Sequence, residues 1–350
     1  MMSAILEVNN LKTTFHTGNG AVQAVRGVSF HLNEGEILGI VGESGSGKSV
    51  MSMSLIRLVA PTAKIEAGSI LYKGKDISTY SARQLRSIRG KEIAMIFQDP
   101  MSSLNPVMTV GAQVAEMLSE HSRLSAKERK AQVIALFNRV RIPEAEKRYR
   151  QYPHELSGGM RQRVMMALAL AMQPGILIAD EPTTALDVTI QDQILKVMRQ
   201  LQSELGTSIL FITHDLAVVA DLCSRVLVMY GGQIMEDASI DDIFARPLHP
   251  YTLGLMASIP SLEQEKATRL VPIPGSPPDM LNPPAGCPFA PRCPEAREIC
   301  LENPAPLVDA GKGHHSRCWL LTEGARELDH PFRTVTDAMY RNRERTEDTL

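Results

Sequence analysis

Residues 42–49, GESGSGKS, have the glycine, lysine and serine spacing of a phosphate-binding loop, G-x-x-x-x-G-K-[ST]. An apolar run at 37–41 precedes them and predicts a buried strand, and residues 52–58 follow with the apolar spacing of a helix. A strand, a glycine-rich turn and a helix start, in this order, present successive backbone N–H groups to an anion. We therefore predict that a nucleoside triphosphate binds here, in preference to a turn without a ligand.

Each residue type in this loop is suited to binding phosphate or Mg²⁺. Glycine lets the backbone come close to phosphate. A lysine at position 48 can reach the β- and γ-phosphates, and the hydroxyl at position 49 can bind Mg²⁺. The predicted phosphate contacts are Gly42, Ser44, Gly45, Gly47, Lys48 and Ser49.

Two carboxylates follow a second apolar run, at 176–179. An aspartate at such a strand end, here Asp180, holds Mg²⁺ through its water shell in phosphate-loop ATPases. The next residue, Glu181, is placed to polarise an attacking water as a general base. A solvated turn is the alternative, but Pro182 fixes the exit of the chain and favours a positioned site.

Polar side chains also follow the strand candidates 93–97 and 208–213, namely Gln98 and His214. Gln98 could coordinate Mg²⁺ or orient water, and His214 could contact the γ-phosphate, because ligands bind at the carboxyl ends of parallel strands. A surface hydrogen-bonding glutamine and a structural histidine are the alternatives.

A second glycine-rich turn, Ser157-Gly158-Gly159, begins a segment rich in Ala, Leu and Met. A small-residue helix start can bind an anion by the same physics as the first loop, although a simple helix cap is the alternative. Asp187 lies in a turn before a predicted helix at 189–205. Two such turns in one chain could act on one nucleotide from two sides.

Periodicity places these motifs on an α/β framework. Alternating apolar residues predict antiparallel strands at 5–11 and 22–32, and another strand is expected at 68–72. A mostly helical stretch is expected at 110–141, with Ser125 as an N-cap and Glu128 as its capping-box partner. A hairpin around Gly231-Gly232 should close the sheet, and Cys223 is expected to be a small buried hydrophobe.

The composition limits the classes of function. Lys and Arg number 37 against 39 Asp and Glu, a formal net charge of −2, so no general attraction to nucleic acid or anionic lipid is expected. The longest apolar run, 164–172, is too short to span a bilayer, and the first residues lack the features of a signal peptide. We therefore expect a cytosolic chain that another subunit holds at any membrane where it works.

Taken together, these motifs resemble the nucleotide-binding subunit of an ABC transporter over about residues 4–260. One departure is Met160, where the signature turn of the family usually ends in Gln. The resemblance implies a RecA-like α/β core, an antiparallel β-subdomain and a helical subdomain at about 100–172. It also implies a head-to-tail dimer in which the phosphate loop of one subunit and the signature turn of the other enclose each ATP.

The resemblance implies a role for each site residue. Glu181 would activate water, His214 would stabilise the γ-phosphate, and Lys48 would support catalysis. Gln98 would couple the nucleotide state to membrane subunits, and Phe15 would stack on adenine, although an ordinary strand end is the alternative for Phe15. Nucleotide contacts would also come from Ser157, Gly158, Gly159 and Asp187, and Mg²⁺ would be held by Ser49, Gln98 and Asp180.

Residues 97–106, 246–252 and the proline-rich segment 272–284 resemble the ATP-binding subunits of bacterial oligopeptide and dipeptide importers. That branch implies a second, related ATPase, two permeases, an extracytoplasmic substrate-binding protein, and a peripheral position at the cytoplasmic face of the cell membrane. Relatives that carry nickel or another small solute are an alternative. Soluble ABC ATPases of DNA repair or translation fit less well, because the chain has neither an internal repeat nor an excess of positive charge. Iron–sulfur assembly factors fit less well, because such relatives generally lack a C-terminal extension with four cysteines.

Four cysteines near the C-terminus have the spacing C-x5-C-x6-C-x17-C; they are Cys287, Cys293, Cys300 and Cys318. A cytosolic chain is not expected to form disulfides. Four thiolates can hold Zn²⁺ or a [4Fe–4S] cluster, and the absence of close C-x2-C pairs, together with the family resemblance, favours the cluster. Zinc and unmetallated thiols remain alternatives. We expect a small cysteine-rich domain at 261–322, with a structural metal cluster, and a weakly ordered tail at 323–350.

Overall fold

The computed structural model describes residues 3–66, 68–99, 103–184, 186–258 and 272–322. The chain forms two compact units. The first unit contains the described residues of 1–7, 31–37 and 71–212, and the second contains those of 8–30, 38–70 and 213–350. The predicted tail at 323–350 and the predicted boundary at 260–261 lie outside the described residues, so those two predictions stay untested.

The strands, numbered along the chain, are β1 (Ala4–Thr17), β2 (Gly20–Asn33), β3 (Ile37–Val41), β4 (Ala63–Glu66), β5 (Ser69–Tyr72), β6 (Lys75–Asp76), β7 (Ile93–Ile96), β8 (Ile176–Asp180), β9 (Ser208–Thr213), β10 (Arg225–Tyr230), β11 (Gln233–Ser239), β12 (Leu307–Asp309) and β13 (His315–Arg317). The helices span Lys48–Leu55, Ala82–Ile88, Val110–His121, Ala126–Arg139, Ala145–Arg148, Gly158–Leu170, Val188–Leu205, Leu216–Leu222, Ile240–Ala245, Pro250–Ala257 and Glu298–Glu302. The predicted α/β character is confirmed.

Three parallel strands form the centre of the first unit, in the order β7-β8-β9. Every residue of β8 and β9 is buried, as is typical of parallel strands covered on both faces. Their continuous apolar sequences therefore follow from their position. Both strands end where the sequence predicted carboxylate and histidine side chains, at residues 180–181 and 213–214.

The helical part of the first unit differs from the continuous stretch expected at 110–141. Two helices, Val110–His121 and Ala126–Arg139, are separated at residues 122–125 and pack against each other and against Gly158–Leu170. Ser125 and Glu128 form the predicted capping box, in which the Ser125 N–H donates to the Glu128 carboxylate at 2.7 Å. The cap starts a new helix, which is why the chain breaks just before it.

The second unit contains a sheet in the order β3-β10-β11-β13-β12. Strands β3 and β10 are parallel, whereas β10 and β11 form the predicted antiparallel hairpin. Gly231 and Gly232 connect them with φ values of 52° and 75°, a left-handed turn that favours glycine. Because β13 pairs with β11 and β12 pairs with β13, the C-terminal segment extends this sheet.

An aromatic cluster fills the second unit beside the hairpin. The ring centroids of Tyr230 and Tyr251 lie 4.6 Å apart, and Phe289 lies 5.3 Å from each of them. All three side chains are buried, and Phe289 comes from the cysteine-rich segment. Cys223 is also buried, as predicted, at the end of helix Leu216–Leu222. Among the described residues, no helix combines the length and the apolarity needed to cross a bilayer.

Candidate functional site

The phosphate loop connects β3 to the helix Lys48–Leu55 in the second unit. This helix begins four residues before the predicted start at 52, because its first turn is formed by the loop residues themselves. Gly47 occupies the N-cap with φ 99°, and no side chain caps the helix. The first N–H groups of the helix therefore have no capping side chain to compete with a bound anion.

Two glycines of the loop are required by close approaches of the backbone. A Cβ on Gly42 would meet the Met229 carbonyl oxygen, and one on Gly47 would meet the Ala24 carbonyl oxygen. Gly45 has φ 79° and open space around it, so its conformation, not its packing, favours glycine.

Lys48 is buried inside the loop and bonds the backbone that surrounds it. Its Nζ donates to the Gly42 carbonyl at 2.7 Å, to the Glu43 carbonyl at 2.9 Å and to Ser46 Oγ at 3.4 Å. These bonds place the ammonium group among the loop carbonyls, where its charge can reach a phosphate. Two other predicted site residues belong to the second unit. His214 directly follows β9, and Phe15 lies on β1, where it pairs with Ala63 of β4.

The first unit brings two of the predicted residues together. Gln98 Nε2 donates to Glu181 Oε2 at 2.9 Å, and Thr184 Oγ1 donates to the same oxygen, also at 2.9 Å. Glu181 has φ 47°, and its N–H donates to the Ile212 carbonyl at 2.9 Å. Its carboxylate is thus oriented from two sides, directly after the buried Asp180 that ends β8.

The signature turn lies at the start of helix Gly158–Leu170, also in the first unit. Ser157 caps this helix by accepting a hydrogen bond from the Met160 N–H at 3.4 Å. Ser157 and Gly158 are exposed, and a Cβ on Gly159 would meet the side chain of Ile190. Asp187 caps the helix Val188–Leu205 by accepting from the Ile190 N–H at 2.9 Å.

Comparison with known proteins identifies the family. Residues 25–184 match the model described as ABC transporter, and residues 235–300 match that of the oligopeptide/dipeptide transporter C-terminal region. The oligopeptide transport ATP-binding protein OppD of Bacillus subtilis is 51% identical over 331 residues, 94% of this chain and 92% of the relative. The dipeptide transport ATP-binding protein DppD of the same organism is 49% identical over 325 residues, 93% of this chain and 97% of the relative.

The chain belongs to the ABC transporter family. Its ABC cassette also resembles a solved bacterial ABC transporter cassette with a dimeric structure, with a TM-score of 0.61 and 29% identity over 67% of this chain and 98% of the other. A post-hydrolysis state of that cassette, bound to ADP and Pi, matches with a TM-score of 0.61 and 28% identity over the same shares of the two chains. The chain is therefore an ABC-type ATPase.

The four C-terminal cysteines of this ABC ATPase line one cavity, together with His249, Phe289 and Trp319. Cys287, Cys300 and Cys318 are buried and Cys293 is half-buried. Burial raises the pKa of Cys293 and of Cys318 to about 12, so that a bare thiolate is disfavoured there. Within the described ranges, no three His, Cys, Asp or Glu side chains meet closely enough to hold a single metal ion.

Two carboxylates of the ABC ATPase make contacts that were not predicted from the sequence. Arg292 Nη1 donates to Glu43 Oε2 at 2.6 Å, which ties the cysteine segment to the phosphate loop. His314 Nε2 lies 2.7 Å from Glu236 Oε1, and this carboxylate also accepts from the Leu248 N–H at 2.7 Å. The partners lie 249 and 78 positions apart, so no local sequence pattern indicates either contact.

Proposed function

We propose that the chain hydrolyses ATP to power the import of di- and oligopeptides through a membrane ABC transporter. The observation that carries this proposal is the pairing of a complete phosphate loop with a C-terminal region that matches peptide transporters at residues 235–300. The relatives named for oligopeptide and dipeptide transport support it over more than nine-tenths of the chain.

In the proposed mechanism, the phosphate loop binds the triphosphate through its N–H groups, with Gly42, Ser44, Gly45 and Gly47 shaping the backbone and Lys48 neutralising charge. Phe15 stacks on the adenine ring. The signature residues Ser157, Gly158 and Gly159, with Asp187, contact the nucleotide held by the partner subunit. Exposure of Ser157 and Gly158 supports this role, because a second molecule can reach them.

Glu181 is the proposed general base. Its carboxylate takes a proton from the water that attacks the γ-phosphate, and the bonds from Gln98 and Thr184 fix the direction in which its oxygens point. His214 donates to the γ-phosphate. Ser49, Gln98 and Asp180 would hold Mg²⁺, which supplies positive charge to the phosphate oxygens when it is bound.

One phosphate loop per chain supports a head-to-tail dimer, since each closed site needs a signature turn from another subunit. The proposed partners are a related second ATPase and two permeases, with an extracytoplasmic substrate-binding protein acting indirectly. The chain would then be peripheral, at the cytoplasmic face of the cell membrane. Nucleic acid is not among the proposed partners, in line with the net charge of −2.

We further propose that Cys287, Cys293, Cys300 and Cys318 hold a structural [4Fe–4S] cluster, with zinc as the alternative. Support comes from the cavity that all four cysteines line. A cluster would convert the four thiols into ligated thiolates and cross-link the segments that carry them.

A pull-down of the tagged chain from its native membranes in mild detergent tests the proposed assembly. We expect two multi-span permeases and a second ATPase in stoichiometric amounts. Recovery of soluble partners alone would overturn the transport proposal and leave the ATPase assignment in place. The Lys48→Ala variant, which should assemble without binding ATP, provides the control for nucleotide-independent association.

A further inference from the structure

The guanidinium group of Arg292 is buried next to the phosphate loop, and all five of its N–H bonds are used. Nη1 and Nη2 donate to the two carboxylate oxygens of Glu43 at 2.6 and 3.1 Å. The other three bonds go to the Tyr230 hydroxyl at 3.0 Å, the Ile273 carbonyl at 3.2 Å and the Pro274 carbonyl at 2.8 Å. A bidentate arginine–carboxylate pair is among the strongest and most directional charge-assisted hydrogen-bond arrangements.

Glu43 is the second residue of the phosphate loop and is held at three points. Besides the pair with Arg292, its N–H donates to the Tyr251 hydroxyl at 2.8 Å, and its carbonyl accepts from Lys48 Nζ at 2.9 Å. Arg292 thus binds the side chain of Glu43, and Lys48 binds its backbone carbonyl. A shift of Glu43 would move the carbonyl that positions the phosphate-binding lysine.

The charge of Glu43 makes this contact important for a nucleotide site. A carboxylate in a loop that binds a polyanion opposes binding, unless a cation neutralises it. The Arg292 side chain is only 5% exposed, so solvent cannot replace it. Arg292 is also the last residue of the short helical turn Ala290–Arg292, and the next residue is Cys293. The residue that carries the neutralising charge is therefore adjacent in the chain to one of the cysteines that line the cavity.

We propose that Arg292 is a positioning residue for ATP: it neutralises Glu43 and fixes the phosphate loop, so that the cysteine-rich segment sets the affinity of the loop for nucleotide. This inference rests on the ATP site of the proposed function. It assigns the C-terminal segment a task in nucleotide binding, beyond holding itself together.

Binding of MgATP and MgADP to purified full-length variants, measured by calorimetry, tests the proposal. Arg292→Met should raise the Kd for MgATP about tenfold, the size expected for one uncompensated charge near a polyanion. The Kd for MgADP should rise less, because its net charge is smaller. Arg292→Lys should give an intermediate Kd, since lysine keeps the charge and loses the bidentate geometry. The exposed Arg297→Met is the matched control and should bind like the wild type.

The double variant Glu43→Gln/Arg292→Met separates charge from packing. If Arg292 acts on ATP through the Glu43 carboxylate, removing that carboxylate should restore the MgATP affinity to within about threefold of the wild type. Equal losses for MgATP and MgADP that the double variant does not rescue would overturn the proposal and leave Arg292 a packing residue. Should Arg292→Met fail to fold, the MgATP affinities of Arg292→Lys and of the double variant still decide whether Arg292 acts through Glu43.

The wild-type measurement distinguishes this proposal from the one on which it rests. Failure of the wild type to bind MgATP would contradict both. Normal binding by the wild type with unchanged binding by Arg292→Met would contradict only the role of Arg292.

Discussion

Gln98 donates a hydrogen bond from Nε2 to Glu181 Oε2 at 2.9 Å, which joins the segment after β7 to the residue after β8. Gln98, which is expected to couple the nucleotide state to the membrane subunits, is thus hydrogen-bonded directly to Glu181, the proposed general base. A change in the position of Gln98 would therefore redirect the carboxylate that we propose activates water. With these proposed roles, the contact would connect the loop after β7 to ATP turnover.

Glu181→Gln should retain MgATP binding and lower ATP hydrolysis by the assembled complex at least about a hundredfold, the usual contribution of a general base. The amide keeps the shape of the side chain and cannot accept the proton. Hydrolysis rates and nucleotide Kd values of the complex check this prediction. Glu116→Gln, at an exposed position of the helix Val110–His121, is the control. Near-normal hydrolysis by Glu181→Gln would remove Glu181 from the role of base.

Lys48→Ala should lose nucleotide affinity itself, with a Kd for MgATP at least about tenfold higher. The variant removes the ammonium group together with its bonds to the Gly42 and Glu43 carbonyls. Calorimetric titration with MgATP measures the effect, and Lys127→Ala, an exposed lysine of the first unit, controls for the loss of a positive charge. An unchanged Kd would contradict the assignment of Lys48 to the phosphates.

Cys300→Ser should reduce the bound iron and sulfide of anaerobically purified protein from about one cluster per chain to near zero, since one of four ligands is lost. Cys223→Ala is the matched control, because Cys223 is buried in the same unit and does not line the cysteine cavity. Iron, sulfide and zinc assays give the answer. Zinc alone at a stoichiometric level in the wild type would reject the cluster in favour of the zinc alternative.

His249 should make the protein less stable below neutral pH. Burial lowers its pKa to about 4 from the ordinary 6.5, and its Nδ1 accepts a hydrogen bond from the Tyr251 N–H at 3.0 Å. Between pH 6.5 and pH 4 the unfolded chain binds the proton and the folded chain does not. The free energy of unfolding therefore falls as the pH falls through this window, by up to ~3 kcal/mol.

Urea unfolding between pH 7.5 and pH 4.5 checks this pH dependence. His249→Asn keeps an acceptor for the helix start and removes the titrating group, so the loss of stability towards low pH should be smaller than in the wild type. Equal losses in both proteins would show that His249 does not contribute.

Local features of this fold could be predicted because neighbouring residues define them. The phosphate loop, the capping box at Ser125 and the turn at Gly231-Gly232 each depend on a few adjacent positions. Periodicity located the strands of the parallel sheet but placed the start of the helix after the loop at 52, since Lys48 and Ser49 at its true start are polar. Apolar spacing cannot detect a helical turn whose residues are polar because they suit phosphate and Mg²⁺ binding.

Contacts between distant segments could not be predicted in this way. The pairs Arg292–Glu43 and His314–Glu236 join residues whose meeting depends on how the C-terminal segment packs. The sequence showed a cysteine cluster and a phosphate loop as separate features. Only the tertiary structure shows that an arginine adjacent to one of the cysteines neutralises the glutamate of the loop.

ATP-dependent peptide uptake by the purified complex in proteoliposomes tests the central claim most directly. ATP is supplied on the side of the nucleotide-binding subunits, and a mixed peptide library and the substrate-binding protein are supplied on the opposite side. Mass spectrometry should then find di- and oligopeptides accumulated in the compartment that contains ATP. The Glu181→Gln complex should accumulate none. ATP hydrolysis by the wild-type complex without accumulation of any peptide, or with accumulation of nickel or another solute instead, would contradict the account.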